Sequence, residues 1–437
     1  MNKRVTRRHF VNRLAAQAAG FVLGGPMFVR SALGRGVSVN EKISLGFIGV
    51  GGMGTQHLRV LLRNPDVHVR AVCDVFEPHR LEAKERVDDA YDHDGCLTYN
   101  DFRAVLDRED VDAVVISAPD HWHVPISIAA CQAGKDIYCE KPLTHTIAEG
   151  KALVHAVRRY GRVFQTGTQQ RSSREFQFAC ELVRRGKLGK IHTVRLHLPP
   201  GATREWVPDE QPPPGLDWDL WLGPAPWVPF NSARHPGGFR FFWDYSGGSL
   251  TDWGAHHIDT AQWGLGMDQN GPVYISGEGT LPADGIFETF VNYDVTYQYA
   301  NGAKMITVHP EHGLRFIGTD GWVHVWRGGI EARPEEWLHQ VIEQDGEPLS
   351  LDPAHQQDWQ VWASPAHHAD WLNCIRTRRQ PICNAEIGHR SVTICHLGNI
   401  AMRLGRKLQW DPEREEFVDD KEANRFLSRP YRAPWHL

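Results

Sequence analysis

Ile43-Ser44-Leu45-Gly46-Phe47-Ile48-Gly49-Val50-Gly51-Gly52-Met53-Gly54 decides the fold. Ile43 to Gly49 is an apolar run of strand length, and Gln56 to Arg63 has helical spacing. Between them, Gly49, Gly51 and Gly54 form a G-x-G-x-x-G loop that also contains Gly52 and Met53. Asp74 follows Gly54 by twenty residues, at the end of the strand-like run Val67 to Cys73. Strand, glycine turn, helix and a downstream carboxylate together form the context of a dinucleotide-binding unit. The glycines let the backbone approach a pyrophosphate, and the helix N-terminus favours its negative charge. Asp74 can accept hydrogen bonds from ribose hydroxyls and would repel an added 2′-phosphate, so NAD is expected over NADP. A glycine turn that binds nothing is the alternative, and this context disfavours it.

The same rhythm continues outward. Pro78 to Ala90, His123 to Ala133 and Ile147 to Tyr160 read as helices; Asp112 to Ala118, Asp136 to Cys139 and Val163 to Thr168 read as strands. This β-α-β alternation predicts a Rossmann-type, doubly wound parallel sheet over residues 42–168. Beyond it, Pro208 to Pro214 marks a surface excursion. Val291 to Tyr299 alternates strictly and leads through Asn301-Gly302 into Lys304 to Val308, a hairpin pattern. Leu314 to Ile317 and Trp322 to Trp326 flank a second turn, Thr319-Asp320-Gly321. Residues 169–437 are therefore expected to form an α+β domain with a large, mostly antiparallel open sheet. Ala369 to Arg379 and Arg390 to Leu404 read as amphipathic helices, and those from about residue 366 are expected to pack back on the first domain.

A length of 437 residues suits two or three structural units, and 41 % hydrophobic with 23 % charged residues suits a soluble globular chain. The net charge of −5 offers no basic excess, so a nucleic-acid partner is not expected. The eight cysteines lack the close spacing of a zinc site and any disulfide framework; Cys73 and Cys139 lie in strand-like runs where buried inert thiols are expected. Thr6-Arg7-Arg8-His9-Phe10-Val11 matches the twin-arginine export pattern, which makes 1–33 a signal segment and the protein periplasmic or otherwise extracytoplasmic. The apolar stretch after it, Leu14 to Val29, is too short and too broken by Gly24, Gly25 and Pro26 to span a membrane stably. It is either cleaved or retained as an anchor.

Two segments carry candidate chemistry. Glu140-Lys141-Pro142 follows the strand ending at Cys139, on the side of a parallel sheet where ligands bind. The Lys141 ammonium can there hydrogen-bond a substrate oxygen and stabilise a developing alkoxide; a surface lysine in a loop is the plainer alternative. In Gly247 to Asp259, a helix would put Asp252, His256 and Asp259 at i, i+4 and i+7 on one face, with His257 turned away. An imidazole beside a carboxylate suits the general base that oxidation of a secondary alcohol needs. Ser249-x-x-Asp252 could equally be a capping box. The flanking carboxylates lack a metal-site pattern, and no metal is expected.

Together the glycine loop, Glu140-Lys141-Pro142 and Asp252-x-x-x-His256-x-x-Asp259 resemble the Gfo/Idh/MocA oxidoreductase family, which includes glucose-fructose oxidoreductase and inositol dehydrogenases. The match runs over most of the chain from Lys42 and looks most like the exported branch. The resemblance implies that Lys141, Asp252 and His256 assist hydride transfer, with His256 the base, and that Asp259 contacts substrate or supports the site. It places Pro119, His121 and Glu140 near the cofactor with Gly49, Gly51, Gly52, Met53, Gly54, Asp74 and Lys141. It makes Trp122, His123, Gln170 and Arg171 candidate cleft contacts, although His121 and His123 could instead cap a helix. It also implies a homo-oligomer through the C-terminal sheet.

The expected activity is NAD-dependent oxidation of a sugar or cyclitol hydroxyl. Because free NAD is scarce outside the cytoplasm, the cofactor should be loaded before export and held tightly. A redox-neutral glycosidase or lyase that works through a transient keto-sugar is the second reading, and a non-catalytic dinucleotide-dependent binding protein the third.

Overall fold

The computed structural model describes residues 42–309, 312–344, 347–351 and 364–437. The twin-arginine segment lies outside them.

The first domain holds six parallel strands: β1 (Ile43–Ile48), β2 (Val67–Cys73), β3 (Leu97–Tyr99), β4 (Ala113–Ile116), β5 (Asp136–Cys139) and β6 (Phe164–Thr166), in the order β3-β2-β1-β4-β5-β6. β1, β4 and β5 are buried along their whole length because helices cover both faces, which is why they read as continuous apolar runs. Helix Ile147–Tyr160 shows how local sequence sets an element: Thr146 and Glu149 form a capping box, and Gly161 ends the helix in the left-handed region.

The second domain is built on a nine-stranded sheet. Its strands are β7 (Ile191–His197), β8 (Tyr274–Thr280), β9 (Asn292–Gln298), β10 (Lys304–Val308), β11 (Gly313–Gly318), β12 (Trp322–Trp326), β13 (Gly329–Arg333), β16 (Leu408–Asp411) and β17 (Glu416–Phe417). Their order is β13-β12-β11-β7-β10-β9-β8-β16-β17, antiparallel except for the β7–β10 pair. β14 (Ile342–Gln344) and β15 (Glu347–Leu349) pair as a separate small hairpin. Both hairpins expected from the sequence, β9–β10 and β11–β12, are present. One face of the sheet packs Val194, Leu196, Val295, Tyr297, Met305, Phe316 and Val323 against helices Arg174–Arg184, Gly254–Gly264 and Ala385–Leu404.

Two other connections set the position of the site. Trp371, Leu372 and Cys374 of helix Pro365–Thr377 pack into the core formed by β1 and β2. The excursion between β7 and Ser249 returns to the first domain: Asp217 N–H donates to Val75 O, Glu77 N–H to Gly215 O, and Asn100 Nδ2 to Asp217 Oδ2 at 2.8 Å. This excursion thus forms a wall of the crevice at the carboxyl ends of the parallel strands. All eight cysteines are buried and free. Burial raises the thiols of Cys73 and Cys139 above their usual range.

Candidate active site

The crevice begins at the glycine turn. Gly49 has φ +83°, and a Cβ there would lie 2.7 Å from Ala118 N; at Gly54 it would lie 2.0 Å from Gly49 O. Neither position tolerates a side chain, so strand, turn and helix pack tightly. At Gly52, nothing lies within 4 Å of a would-be Cβ, so the turn is open on the side where the first N–H groups of helix Gly52–Leu61 begin. Asp74 Oδ2 accepts from Val50 N–H and Oδ1 from Phe76 N–H, both at 2.9 Å, which fixes the carboxylate at the end of β2 beside the turn. Gly49, Gly51, Gly52, Met53, Asp74 and Pro119 all line one cleft of about 340 Å³. An open glycine cradle at a helix N-terminus, with a carboxylate one strand away, fits a dinucleotide.

Lys141 lines the other end of that cleft. Its Nζ is 2.6 Å from Asp252 Oδ1 and 3.3 Å from Asp252 O, while Arg240 Nε stands 3.6 Å from the same carboxylate oxygen. Burial pushes the Asp252 carboxyl up, but Lys141 and Arg240 outweigh this and hold it below the usual carboxylate range. The segment expected to be one helix is two, Ser249–Asp252 and Gly254–Gly264, meeting at Trp253. No capping box forms, because Ser249 Oγ donates to Pro199 O instead.

His256 does not line the cleft. It is buried and its Nδ1 has no hydrogen-bond partner among the described residues. Burial, Arg327 and Lys141 drive its pKa well below the ordinary value, so the ring is neutral. A neutral ring is the form a base requires, while the surrounding cations oppose the imidazolium it would become. His257 is also buried, and burial with Arg327 and neighbouring histidines lowers its pKa to about 3, so it too is neutral.

Other expected contacts are placed differently. Glu140 borders the cleft, but its carboxylate turns inward to His57 Nε2 at 2.8 Å. His123 ties together the loops after β4 and β5, with Nδ1 2.7 Å from Pro142 O and Nε2 2.8 Å from Ala118 O. Trp122 lines the cleft, and its Nε1 donates to Trp221 O at 3.0 Å; His121 Nε2 meets that same carbonyl. These two residues hold the returning excursion in place, and neither histidine caps the helix.

Arg171, Asp259 and Gln170 correct the sequence reading. Arg171 grips Asp259 with two contacts, 2.7 and 2.9 Å, and also meets Asp268 at 2.8 Å; Ser391 Oγ donates to Asp259 at 2.7 Å. Gln170 is buried with its Oε1 on Thr260. None of the three lines the cleft. Helical spacing fixes angle but not depth: seven residues advance about 10.5 Å along the axis, which carries Asp259 into the core.

His367 and His368, unassigned from sequence, are buried in the first turn of helix Pro365–Thr377, where His368 Nε2 meets His57 Nδ1 at 2.9 Å. Among the described residues no His, Cys, Asp or Glu cluster could hold a metal. Sequence reasoning missed Asp120, Arg240, His235 and Trp221, which line the cleft. Asp120 lies between Pro119 and His121, both named from the resemblance; the other three lie in the excursion, where no periodicity points to a site.

Residues 43–168 match the family model described as an oxidoreductase family with an NAD-binding Rossmann fold, and 201–323 with 353–437 match its C-terminal alpha/beta domain. A glycosyl hydrolase family 109 protein from Shewanella sp. (strain MR-4) is 29 % identical over 203 residues, 43 % of this chain and 44 % of that protein. Myo-inositol 2-dehydrogenase from Thermotoga maritima is 30 % identical over 152 residues, 35 % of this chain and 44 % of its own. The chain thus spans less than half the length of these curated relatives. In fold it is similar to the aldose-aldose oxidoreductase of Caulobacter crescentus, solved with glycerol: TM-score 0.61, 22 % identity, covering 84 % of this chain and 99 % of that one. With its first domain carrying the NAD-binding fold and its second the matching alpha/beta domain, the chain belongs to the Gfo/Idh/MocA oxidoreductase family.

Proposed function

We propose that the protein transfers hydride between a hydroxyl group of a sugar or cyclitol and a tightly held NAD. The observation that carries this reading is Lys141, which lines the same cleft as the glycine turn and is paired there with Asp252. Bound NAD supplies the hydride acceptor. The turn from Gly49 to Gly54 and the helix N-terminus would hold its pyrophosphate, and Asp74 its ribose hydroxyls. Lys141 orients the substrate hydroxyl and, with Arg240, stabilises negative charge on its oxygen. Within the ion pair the acceptor of the hydroxyl proton is the Asp252 carboxylate, and the neutral ring of His256 is the second acceptor on offer.

Retention of the cofactor is supported by the excursion hydrogen-bonded across the crevice at Val75, Glu77 and Asn100. It suits the export proposed from Arg7 and Arg8, since a folded, loaded protein needs no external NAD. A homo-oligomer is proposed through the sheet face bearing Arg195 and Arg315.

A second reading, redox-neutral cleavage of a glycoside, is favoured by the likeness to the Shewanella relatives, one of which is named an alpha-N-acetylgalactosaminidase. The test of both is to denature the purified protein, identify the released dinucleotide, and then expose native protein to a panel of polyols and glycosides. NAD that becomes reduced by a polyol supports the first reading; glycoside cleavage without net reduction transfers support to the second. Protein that neither carries nor binds a dinucleotide overturns both.

A further inference from the structure

Among the cleft-lining carboxylates, Asp120 differs in its partners. Asp74 is held by two backbone N–H groups and Glu140 by His57. Asp120 opens helix Asp120–Gln132 at the end of β4, and it lines the cleft together with Lys141, His123 and Arg240. Its Oδ2 accepts from Ser246 Oγ at 2.5 Å, and Ser246 is itself buried. Its Oδ1 has no hydrogen-bond partner among the described residues, and no cation forms an ion pair with it there. A hydroxyl donor fixed on one oxygen sets the carboxyl plane and leaves the other oxygen as the atom available to a ligand.

We propose that Asp120 is a substrate-contacting acid, a neutral carboxyl group that donates a hydrogen bond from Oδ1 to an oxygen neighbouring the hydroxyl held by Lys141 and Asp252. The inference rests on the function proposed above and deepens it, because it selects substrates with adjacent oxygens, vicinal diols rather than simple alcohols.

The charge balance around Asp120 agrees with the geometry. Burial raises its pKa above the usual carboxylate range, and nearby Asp252 adds to this; His123, the Ser246 hydroxyl and Arg240 oppose the rise without reversing it. The Cys139 thiol of β5, also nearby, is kept protonated by burial and brings no charge. Burial with one hydroxyl donor and no ion-pair partner disfavours the charged form of the carboxyl, and the protonated form can donate. Vicinal hydroxyls are the defining feature of sugars and cyclitols. A site that donates to the second oxygen discriminates against analogues lacking it, because its own donor is then left unpaired.

The test uses the holoprotein and two variants. Asp120→Asn keeps a donor of the same shape, whereas Asp120→Leu removes it. Infrared spectra of the NAD-loaded protein at neutral pH should show a protonated-carboxyl band that is lost in Asp120→Asn and shifted in Ser246→Ala. Absence of that band overturns the proposal, whatever the substrate proves to be. With the polyol that reduces the cofactor, Asp120→Asn should retain most of kcat/KM and Asp120→Leu should lose about tenfold or more. The wild-type rate should fall as pH rises through the Asp120 pKa, and this limb should vanish in Asp120→Asn. If Asp120→Asn loses as much as Asp120→Leu, the group acts as a carboxylate and the proposal fails. Failure of the underlying function has a different signature: wild-type protein carries no dinucleotide, or no polyol reduces it, while the infrared band still reports the state of Asp120.

Discussion

Two ion pairs flank one helical segment, and they differ in what surrounds them. Lys141 and Asp252 meet at its beginning through one 2.6 Å contact between side chains, which are 14 % and 22 % exposed. Two turns further on, Arg171 and Asp259 meet through two parallel contacts with exposures of 1 % and 0 %, and Asp268 and Ser391 occupy the remaining sites. The first pair has donors and acceptors to spare and its Lys141 lines a cleft, so the lysine can exchange one partner for a substrate oxygen. The second has none to spare and touches no cavity wall of the site. A pair of opposite charges is thus either chemistry or scaffold according to how completely it is satisfied and whether a ligand can reach it. A buried, fully satisfied pair fixes geometry and is costly to break from one side.

The sharpest way to break this comparison is Lys141→Met. The variant should fold, elute with bound NAD and fail to reduce it, with kcat/KM lower by roughly a hundred- to ten-thousandfold. Single-turnover reduction of the bound cofactor measures this directly. Near-normal reduction would remove Lys141 from the chemistry and leave both pairs as scaffold.

The corresponding change at the other pair is Arg171→Met. Burial works against the guanidinium charge, yet Asp259 and Asp268 more than offset it and hold Arg171 firmly protonated. Its loss strands a buried carboxylate, at a cost of about 3–5 kcal/mol. The expected result is a lower thermal midpoint and reduced soluble yield, with normal kcat/KM in whatever protein remains folded. An unchanged midpoint with weakened substrate binding would restore Arg171 to the site.

The sequence made the scaffold of the first domain readable because each signal there is local. Period and flanking glycines define β1 and its turn, and spacing alone points to Asp74. The β9–β10 hairpin was equally legible from strict alternation and Asn301-Gly302. Lys141 and Asp252 are 111 residues apart, and their meeting followed from family resemblance rather than from any local pattern. Asp259 and Arg171 were misplaced because a helical wheel gives direction without depth. Trp122 and His121 turn toward Trp221 O because a distant segment folds over them, a tertiary fact with no local trace. Asp120 was passed over for its histidine neighbours; only the structure reveals Ser246 on one of its oxygens and, among the described residues, no partner on the other.

The smallest expected effect sharpens the comparison most finely. Asp252→Asn removes the negative member of the cleft pair, and partial exposure lets water solvate the Lys141 and Arg240 left behind. The stability loss at neutral pH should be about 1 kcal/mol or less, several-fold below that of Arg171→Met. Its pH dependence has a definite sign. In the folded protein the Asp252 carboxyl is held below its ordinary value of 3.8. The unfolded chain therefore takes up that proton first on acidification, and the stabilisation, complete above the ordinary value, is lost as pH falls through the folded one. Stability curves of wild type and Asp252→Asn should accordingly run parallel near neutrality and converge only in acid. A gap of several kcal/mol, or one that widens as pH falls, would mean that Asp252 is held as tightly as Asp259 and that the cleft pair is not free to exchange partners.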